Sequence, residues 1–460
     1  MSAPAFSFPI PPVNAVPVPA ATRLGYVLRH FSLAYEGVPE NLIGYPASQR
    51  PVEVADLAGV FFQGQEPFPA APHHRAWAGQ PVPFFFDAPP EAPLLILEPG
   101  RVRINADVVA AAFYLLSGWQ EYFSEARDRH GRFPYAASVQ QRHGFVALPV
   151  VNYYFDVLKT AVEHVTGRPL RARRWAAGAP FAAFISHDID NLRSAWKAPA
   201  KAALRRGRLL DFGRLGWAHL TRPDAWDNLE AVAAAVAGYG GRSTFFILPA
   251  NRPGTDGTPN ADYCLTPALH RRLGQLQQRG HEVGLHASIG TATTAGQLRG
   301  ELRKLSGQEV PGNRFHYLRW EPRLTPGLLE QLISTGICYD STLGFAEHFG
   351  FRHSYCLPFY PFNFATGTAH SFLEIPLNVM DATLHHPHYL RLRAEEILPA
   401  LQPMFAEIER FGGVASILWH NDHFDPANTL TGPRQFAGIM GYLQQRGAAF
   451  LTGNQIVAEL

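Results

Sequence analysis

The second part of the chain alternates two hydrophobic rhythms. Short apolar runs, Pro180-Phe-Ala-Ala-Phe-Ile185, Ser243-Thr-Phe-Phe-Ile-Leu248 and Val414-Ala-Ser-Ile-Leu-Trp419, suit strands buried on both faces. His281-Glu-Val-Gly-Leu-His286 joins the series as a third strand, and another begins at Tyr339. Between them lie stretches of helical periodicity: an Ala-rich one over 228–237, one over 267–279 stopped by Gly280, and others over 328–335 and 400–410. Strands separated by helices predict a parallel sheet, and their repetition predicts closure into a barrel.

The first part reads differently. Residues 1–21, rich in Pro and Ala, are expected to form a flexible arm. Residues 22–165 predict a smaller mixed α/β domain. Within it, 107–126 reads as one amphipathic helix with Val108, Ala111, Leu115, Trp119 and Tyr122 on one face, and 152–164 as another helix. The polar loop Arg127-Asp-Arg-His-Gly-Arg132 reads as a solvated connection, with a binding loop as the alternative. Gly167, Pro169, Gly178 and Pro180 mark 166–180 as a linker, leaving 181–460 as the barrel.

Composition narrows the picture. A chain of 460 residues, 47% of them hydrophobic, is globular and has room for two or three domains. Its net charge of +2 gives no overall steering toward nucleic acid. Cys264, Cys338 and Cys356 are scattered, which excludes a disulfide framework and a thiolate zinc site. No segment carries the ~18 uninterrupted apolar residues of a membrane span, and no signal peptide is evident, so the expected compartment is the cytoplasm.

Chemistry concentrates where the apolar runs stop. His187-Asp-Ile-Asp190 follows the first strand, and in extended backbone Asp188 and Asp190 point to one side. Two neighbouring carboxylates repel, so a cation must stabilise the ionised pair or one must hold a proton. A helix cap followed by a turn is the plainer reading of these four residues alone. His286, Arg314 and His420 also fall at strand ends, the catalytic rim of such barrels.

The series Ser186-His-Asp-Ile-Asp190, Ser243-Thr-Phe-Phe, Gly280-His-Glu-Val-Gly-Leu-His286, Arg314-Phe-His-Tyr317 and Leu418-Trp-His420 resembles the polysaccharide deacetylase (NodB-homology) family over roughly residues 180–455. The resemblance implies a distorted (β/α)7 barrel, here preceded by the smaller mixed α/β domain. It makes Asp188 the catalytic base, Asp190 and His286 metal ligands, Arg314 the residue that orients the base, and His420 the general acid, with Asp422 close enough in sequence to tune it. Gly336-Ile-Cys-Tyr-Asp340-Ser-Thr is like a further family segment, in which Asp340 either orients a catalytic group or caps the next element.

One departure stands out. The family's second motif carries another histidine four residues after the first, and here that position is Gly290. A replacement from elsewhere, a water shell or a degraded site are the three repairs. His316, two positions beyond Arg314 on an extended segment, is the first candidate for the missing ligand. His385, His386 and His388 are further candidates but read better as a solvated loop. His187 would face away from the aspartates, and His281 reads as structural.

The resemblance implies a divalent ion, zinc first with cobalt or nickel as alternatives, and removal of an N-acetyl or similar acyl group from a sugar or glycan precursor. A related amidase or deformylase on a lipid- or nucleotide-linked sugar, or another amide, is the second reading. A glycan-binding scaffold on a degenerate barrel is the third. Residues 193–222 form a basic run interleaved with Trp196, Leu209 and Trp217. They read as a solvated helix pair, with contact to a phosphate-bearing substrate or anionic lipid as the sharper alternative.

Overall fold

The structure, a computed structural model, describes residues 10–254 and 257–460; the first nine residues of the expected arm lie outside it. Among the described residues the largest sheet has nine strands, paired in parallel, in the order Leu373–Glu374, Tyr339–Asp340, Gly312–Phe315, Glu282–Ala287, Thr244–Ile247, Ala182–Ile189, Val414–Leu418 and Val379–Met380. Ala449–Leu451 pairs with the start of Ala182–Ile189. The two outermost strands are consecutive in the chain, separated only by 375–378. The sheet therefore curls until both edges reach one segment. Backbone bonds follow the same path, with Ile375 N donating to Asp340 O at 2.8 Å and Asn378 N to Ser416 O at 3.2 Å.

Alternation along the strands divides two apolar regions. Ile185, Phe245, Val283 and Ile417 face outward into the continuous core shared with the helices. Phe184, Phe246, Tyr339 and Leu373 pack inside the curl. Small residues make room for those rings: a Cβ on Gly284 would come within 2.4 Å of Phe246, and one on Gly312 within 2.1 Å of Tyr339.

The N-terminal region contributes helices Ala20–Ala34, Val108–Leu116 and Val150–Thr166, a four-stranded sheet, and a hairpin of His73–Trp77 with Gln80–Phe84. Ala78 and Gly79 at the hairpin tip both have positive φ, as its two-residue turn requires. The expected helix over 107–126 is two helices, Val108–Leu116 and Trp119–Phe123. Gly118 at φ 72° breaks it where a Cβ would stand 3.0 Å from His353. Nor is the first helix amphipathic in place. Every residue of it is buried, because it packs against helices Ala20–Ala34 and Val150–Thr166, with Phe113 against Phe362 at 4.9 Å.

The same core cluster runs through both regions. Across the junction Arg352 donates to both oxygens of Glu121, at 2.8 and 2.5 Å, with both side chains 1% exposed. Arg127 likewise pairs with Glu321. Of residues 10–19, Val16 N donates to Phe364 O and Val18 is buried. In 166–180, Arg171–Ala172 pairs antiparallel with Tyr35–Glu36, and buried Trp175 donates to Gly412 O at 2.7 Å.

Candidate active site

Ser186, Asp188 and Asp190 project into the curl from the first barrel strand and the residue after it. Arg314 spans the interior to meet them: its Nη1 donates to Ser186 Oγ at 2.8 Å and to Asp188 Oδ1 at 2.9 Å. Its Nε and Nη2 are held by Ser341 O and Ser341 Oγ, and its guanidinium lies 4.4 Å from the Phe246 ring centre. With its donors engaged and its face stacked, the arginine has little freedom, and Asp188 is oriented by it. Asp190 leaves the strand on a turn pinned by Asp262, whose carboxylate accepts from Leu192 N, Arg193 N and Ser194 Oγ.

His286 stands opposite, on the strand beside Arg314. Its Nδ1 contacts Arg314 O at 2.9 Å. A carbonyl only accepts, so Nδ1 carries the proton and Nε2 presents its lone pair to the cleft. That Nε2 lies 3.3 Å from Asp190 Oδ1 and 3.6 Å from Asp188 Oδ2, while His316 Nε2 is 3.6 Å from Asp190 Oδ2. Donor atoms of Asp190, His286 and His316 all lie within 4.8 Å of one another. His316 faces the cleft with Arg314 even though the strand has passed into a turn there.

These separations are long for hydrogen bonds but close to the ~3.3 Å edge of a tetrahedron whose bonds are ~2.0–2.1 Å. Buried Asp190 Oδ1 also lacks a hydrogen-bond partner. Both observations fit a divalent cation shared by the three side chains. Burial alone would raise the pKa of Asp190, but His316 and His286 outweigh it and hold the carboxyl well below its ordinary range. Burial opposes charge on His286 as well, and Asp188 and Asp190 reverse that and raise its pKa.

His420 enters from the other side. Its Nδ1 donates to Asp381 at 2.9 Å, its backbone N donates to the same carboxylate, and its Nε2 lies 3.7 Å from Asp190 Oδ2. Burial favours the neutral ring, yet Asp381 and then the two cleft aspartates push its pKa well above the usual histidine value.

Asp190, His286, His316, Asp188 and His420 line one cavity of about 250 Å³, and Arg314 supports it from below. Asp340 is not brought to it. Its carboxylate lies deeper, accepting from Asn313 Nδ2 at 2.6 Å and Thr342 N at 2.8 Å. Asp422 does not bond His420; the residue in that position is Asp381, which the sequence reading missed. Its signal was the same as for the others, a carboxylate just past a strand, but Val379–Met380 is only two residues long. His187 points outward, its Nδ1 donating to Trp419 O at 2.7 Å among Phe245 and Phe424, and burial lowers its pKa to about 4.

The wall of the cleft is built from two further segments. Arg129, His130 and Arg132 reach it from the N-terminal region, and His386 and Tyr389 from the loop after Asp381. His130 stacks on Tyr317 at 4.7 Å, and Arg132 donates to Tyr317 O at 2.9 Å. The 127–134 loop is thus part of the cleft wall and not only a solvated connection. Gly290, the position of the absent histidine, lies in a 3-10 turn outside the cavity lining.

A family of unknown function (DUF7033) matches residues 35–167, within the N-terminal region. Among curated proteins, no sequence matches the chain. Similar solved structures include the allantoinase PuuE (12% identity, TM-score 0.40, covering 62% of this chain and 91% of that one). A probable polysaccharide deacetylase from Pseudomonas aeruginosa PAO1 is 13% identical (TM-score 0.40, covering 62% of this chain and 92% of that one). The catalytic domain of a peptidoglycan N-acetylglucosamine deacetylase from Eubacterium rectale ATCC 33656 is 11% identical (TM-score 0.30, 61% and 92%). At these TM-scores, the reading of the site rests on its own geometry.

Proposed function

We propose that the chain is a metal-dependent amide hydrolase that removes an N-acetyl or similar acyl group from a sugar or polysaccharide precursor, and that its curled sheet is a distorted (β/α)7 barrel. The observation that carries this reading is one cleft with three parts: a triad of ligand-type side chains, an arginine-held carboxylate, and a carboxylate-held histidine. Asp190, His286 and His316 would hold the ion. A bound divalent ion supplies polarisation of the scissile carbonyl and acidification of a water molecule.

Asp188 is tethered through Oδ1 and keeps Oδ2 toward the cleft, where it takes a proton from the attacking water. As the C–O bond forms and the C–N bond breaks, His420 delivers the proton that the departing amine needs. Asp381 keeps that imidazole protonated and aimed through Nε2. Base and acid sit on separate strands, so neither has to serve twice.

An anionic, lipid- or nucleotide-linked sugar is the second reading, supported by Arg129, which is exposed at the cleft and has no carboxylate partner among the described residues. Acetate release from N-acetylglucosamine oligomers and from a uridine-diphosphate N-acetyl sugar separates the two. The first reading expects about one zinc, cobalt or nickel ion per chain by mass spectrometry, and acetate release that a chelator abolishes and added metal restores. Near-zero metal with no uptake on titration would overturn it.

A further inference from the structure

The strand that supplies Asp188 leads into an unusual surface. Seven residues beyond Asp190, the chain enters a helical hairpin of Lys197–Arg205 and Leu209–Thr221. Its base is fixed: Trp196 stacks on His219 at 4.7 Å, Ser194 bonds Asp262, and Ala195 N donates to Asp224 at 3.2 Å. Its far helix is bare. No residue of Leu209–Thr221 is buried.

The exposure is patterned. Leu210, Trp217 and Leu220 are 87%, 70% and 79% exposed, and their spacing sets them on one helix face. Gly213 and Gly216 fall on that same face, with no atom within 4 Å of where a Cβ would stand. Among the described residues, six of the eleven exposed large hydrophobics fall within 204–220, so the patch is not ordinary surface scatter.

Charge surrounds it. Residues 193–222 hold eight Lys and Arg against one acid, Asp211, which is paired with Arg208 at 2.5 Å. The segment is therefore strongly positive, whereas the remainder of this +2 chain is net negative. All eight cations are exposed. A second copy of the hairpin would bring like charges together in a two-fold contact. A soluble polyanion would satisfy the cations but leave the leucines and Trp217 in water.

We propose that the 193–222 hairpin docks the protein on an anionic lipid surface, with Leu209–Thr221 lying in the interface, its Leu210/Trp217/Leu220 face toward the acyl chains and the flanking cations at the headgroups. Because the hairpin leaves the strand end that carries Asp188 and Asp190, docking brings the catalytic end of the barrel to the membrane. The inference stands on the surface alone and does not depend on the reaction assigned to the cleft.

Flotation of the full chain with phosphatidylcholine vesicles, with and without phosphatidylglycerol, tests it. Binding is expected only with the anionic lipid, weakening as salt rises, with a blue shift of tryptophan emission that Trp217→Phe reduces. Combined Lys201→Gln, Arg205→Gln, Arg206→Gln and Arg214→Gln should lower the partition coefficient by about two orders of magnitude or more, near-surface cations each contributing about fivefold. Combined Leu210→Glu, Trp217→Glu and Leu220→Glu should abolish binding; these side chains are exposed, so the melting profile is expected to stay that of the parent chain. Equal binding to neutral vesicles, or binding that survives the triple Glu change, would overturn the proposal. So would absence of vesicle binding, including the case in which sedimentation shows a dimer that the triple Glu change dissociates.

Discussion

The barrel interior holds two layers of buried acids whose pKa values shift in opposite directions. At the mouth, Asp190 is pushed well below its ordinary pKa, and Asp381 is lowered, despite burial. One layer down, burial wins: Glu282, Asp340 and Glu374 are all raised. The upper acids face Arg314, His286, His316 and His420. The lower ones face hydroxyls, amides and each other: Glu282 accepts from Thr244 and Tyr339, while Asp340 and Glu374 adjoin as a pair. Between these two layers, burial alone does not set the direction of the shift; the charged and hydrogen-bonding groups around each carboxyl do. The reading proposed above gives the upper layer proton transfer and ion binding, and the lower layer the holding of strands.

The largest effect that could break this comparison comes from Asp188→Asn. It is expected to abolish turnover while metal content by mass spectrometry stays near that of the parent. If it loses the metal and Asp190→Asn keeps it, the roles of the two carboxylates are reversed. His420→Ala should follow, lowering kcat by ~10²–10⁴-fold, the usual contribution of a positioned general acid. A kcat within a factor of three of the parent would remove His420 from the reaction.

The lower layer should respond in stability alone. Glu374→Ala leaves Leu343 N, which Glu374 binds at 2.8 Å, without its acceptor and is expected to cost about 1–3 kcal/mol in denaturant unfolding. Glu374→Gln gives the smallest change and the sharpest one. Burial, then Asp340, raise the Glu374 pKa above its ordinary 4.5. The folded chain thus binds this proton more tightly than the unfolded chain. Its contribution is complete below about pH 4.5 and is lost as pH rises toward the folded-state value. Glutamine does not titrate, so in chelator-treated protein the variant's melting temperature should gain on the parent's between pH 5 and 9. A gain of about 2–4 °C corresponds to roughly 1 kcal/mol. A constant gap would mean that the pair is ionised when folded.

Much of the upper layer was legible because strand geometry has a period of two. Asp188 with Asp190, and Arg314 with His316, share a face for that reason. The register that sets His286 beside Arg314 follows from parallel neighbours of similar length. Asp340 looked equivalent, a polar residue closing an apolar run, but it pairs in register with Asn313, one residue below Arg314. Which layer a strand-end residue reaches depends on stagger across the sheet, and no local pattern encodes that. Asp381 was hidden for a related reason, being 39 residues upstream of the histidine it serves. The 127–134 loop is polar like any exposed connection, and only packing of the N-terminal region on the barrel turns Arg132 inward. The break at Gly118 was visible in composition but was outweighed by the apolar run around it.

The segment that joins the two sheet edges also has a dynamic consequence. From Leu373 to Met380 it completes the curl, and its next residue, Asp381, binds both the ring and the backbone N of His420. Opening that seam therefore frees the His420 ring from its carboxylate partner. In native-state hydrogen exchange the amides of Ile375, Leu377, Asn378 and His420 should behave as one cooperative unit, sharing a single opening free energy. On the role proposed for His420, opening the seam would cost the cleft its aimed proton donor.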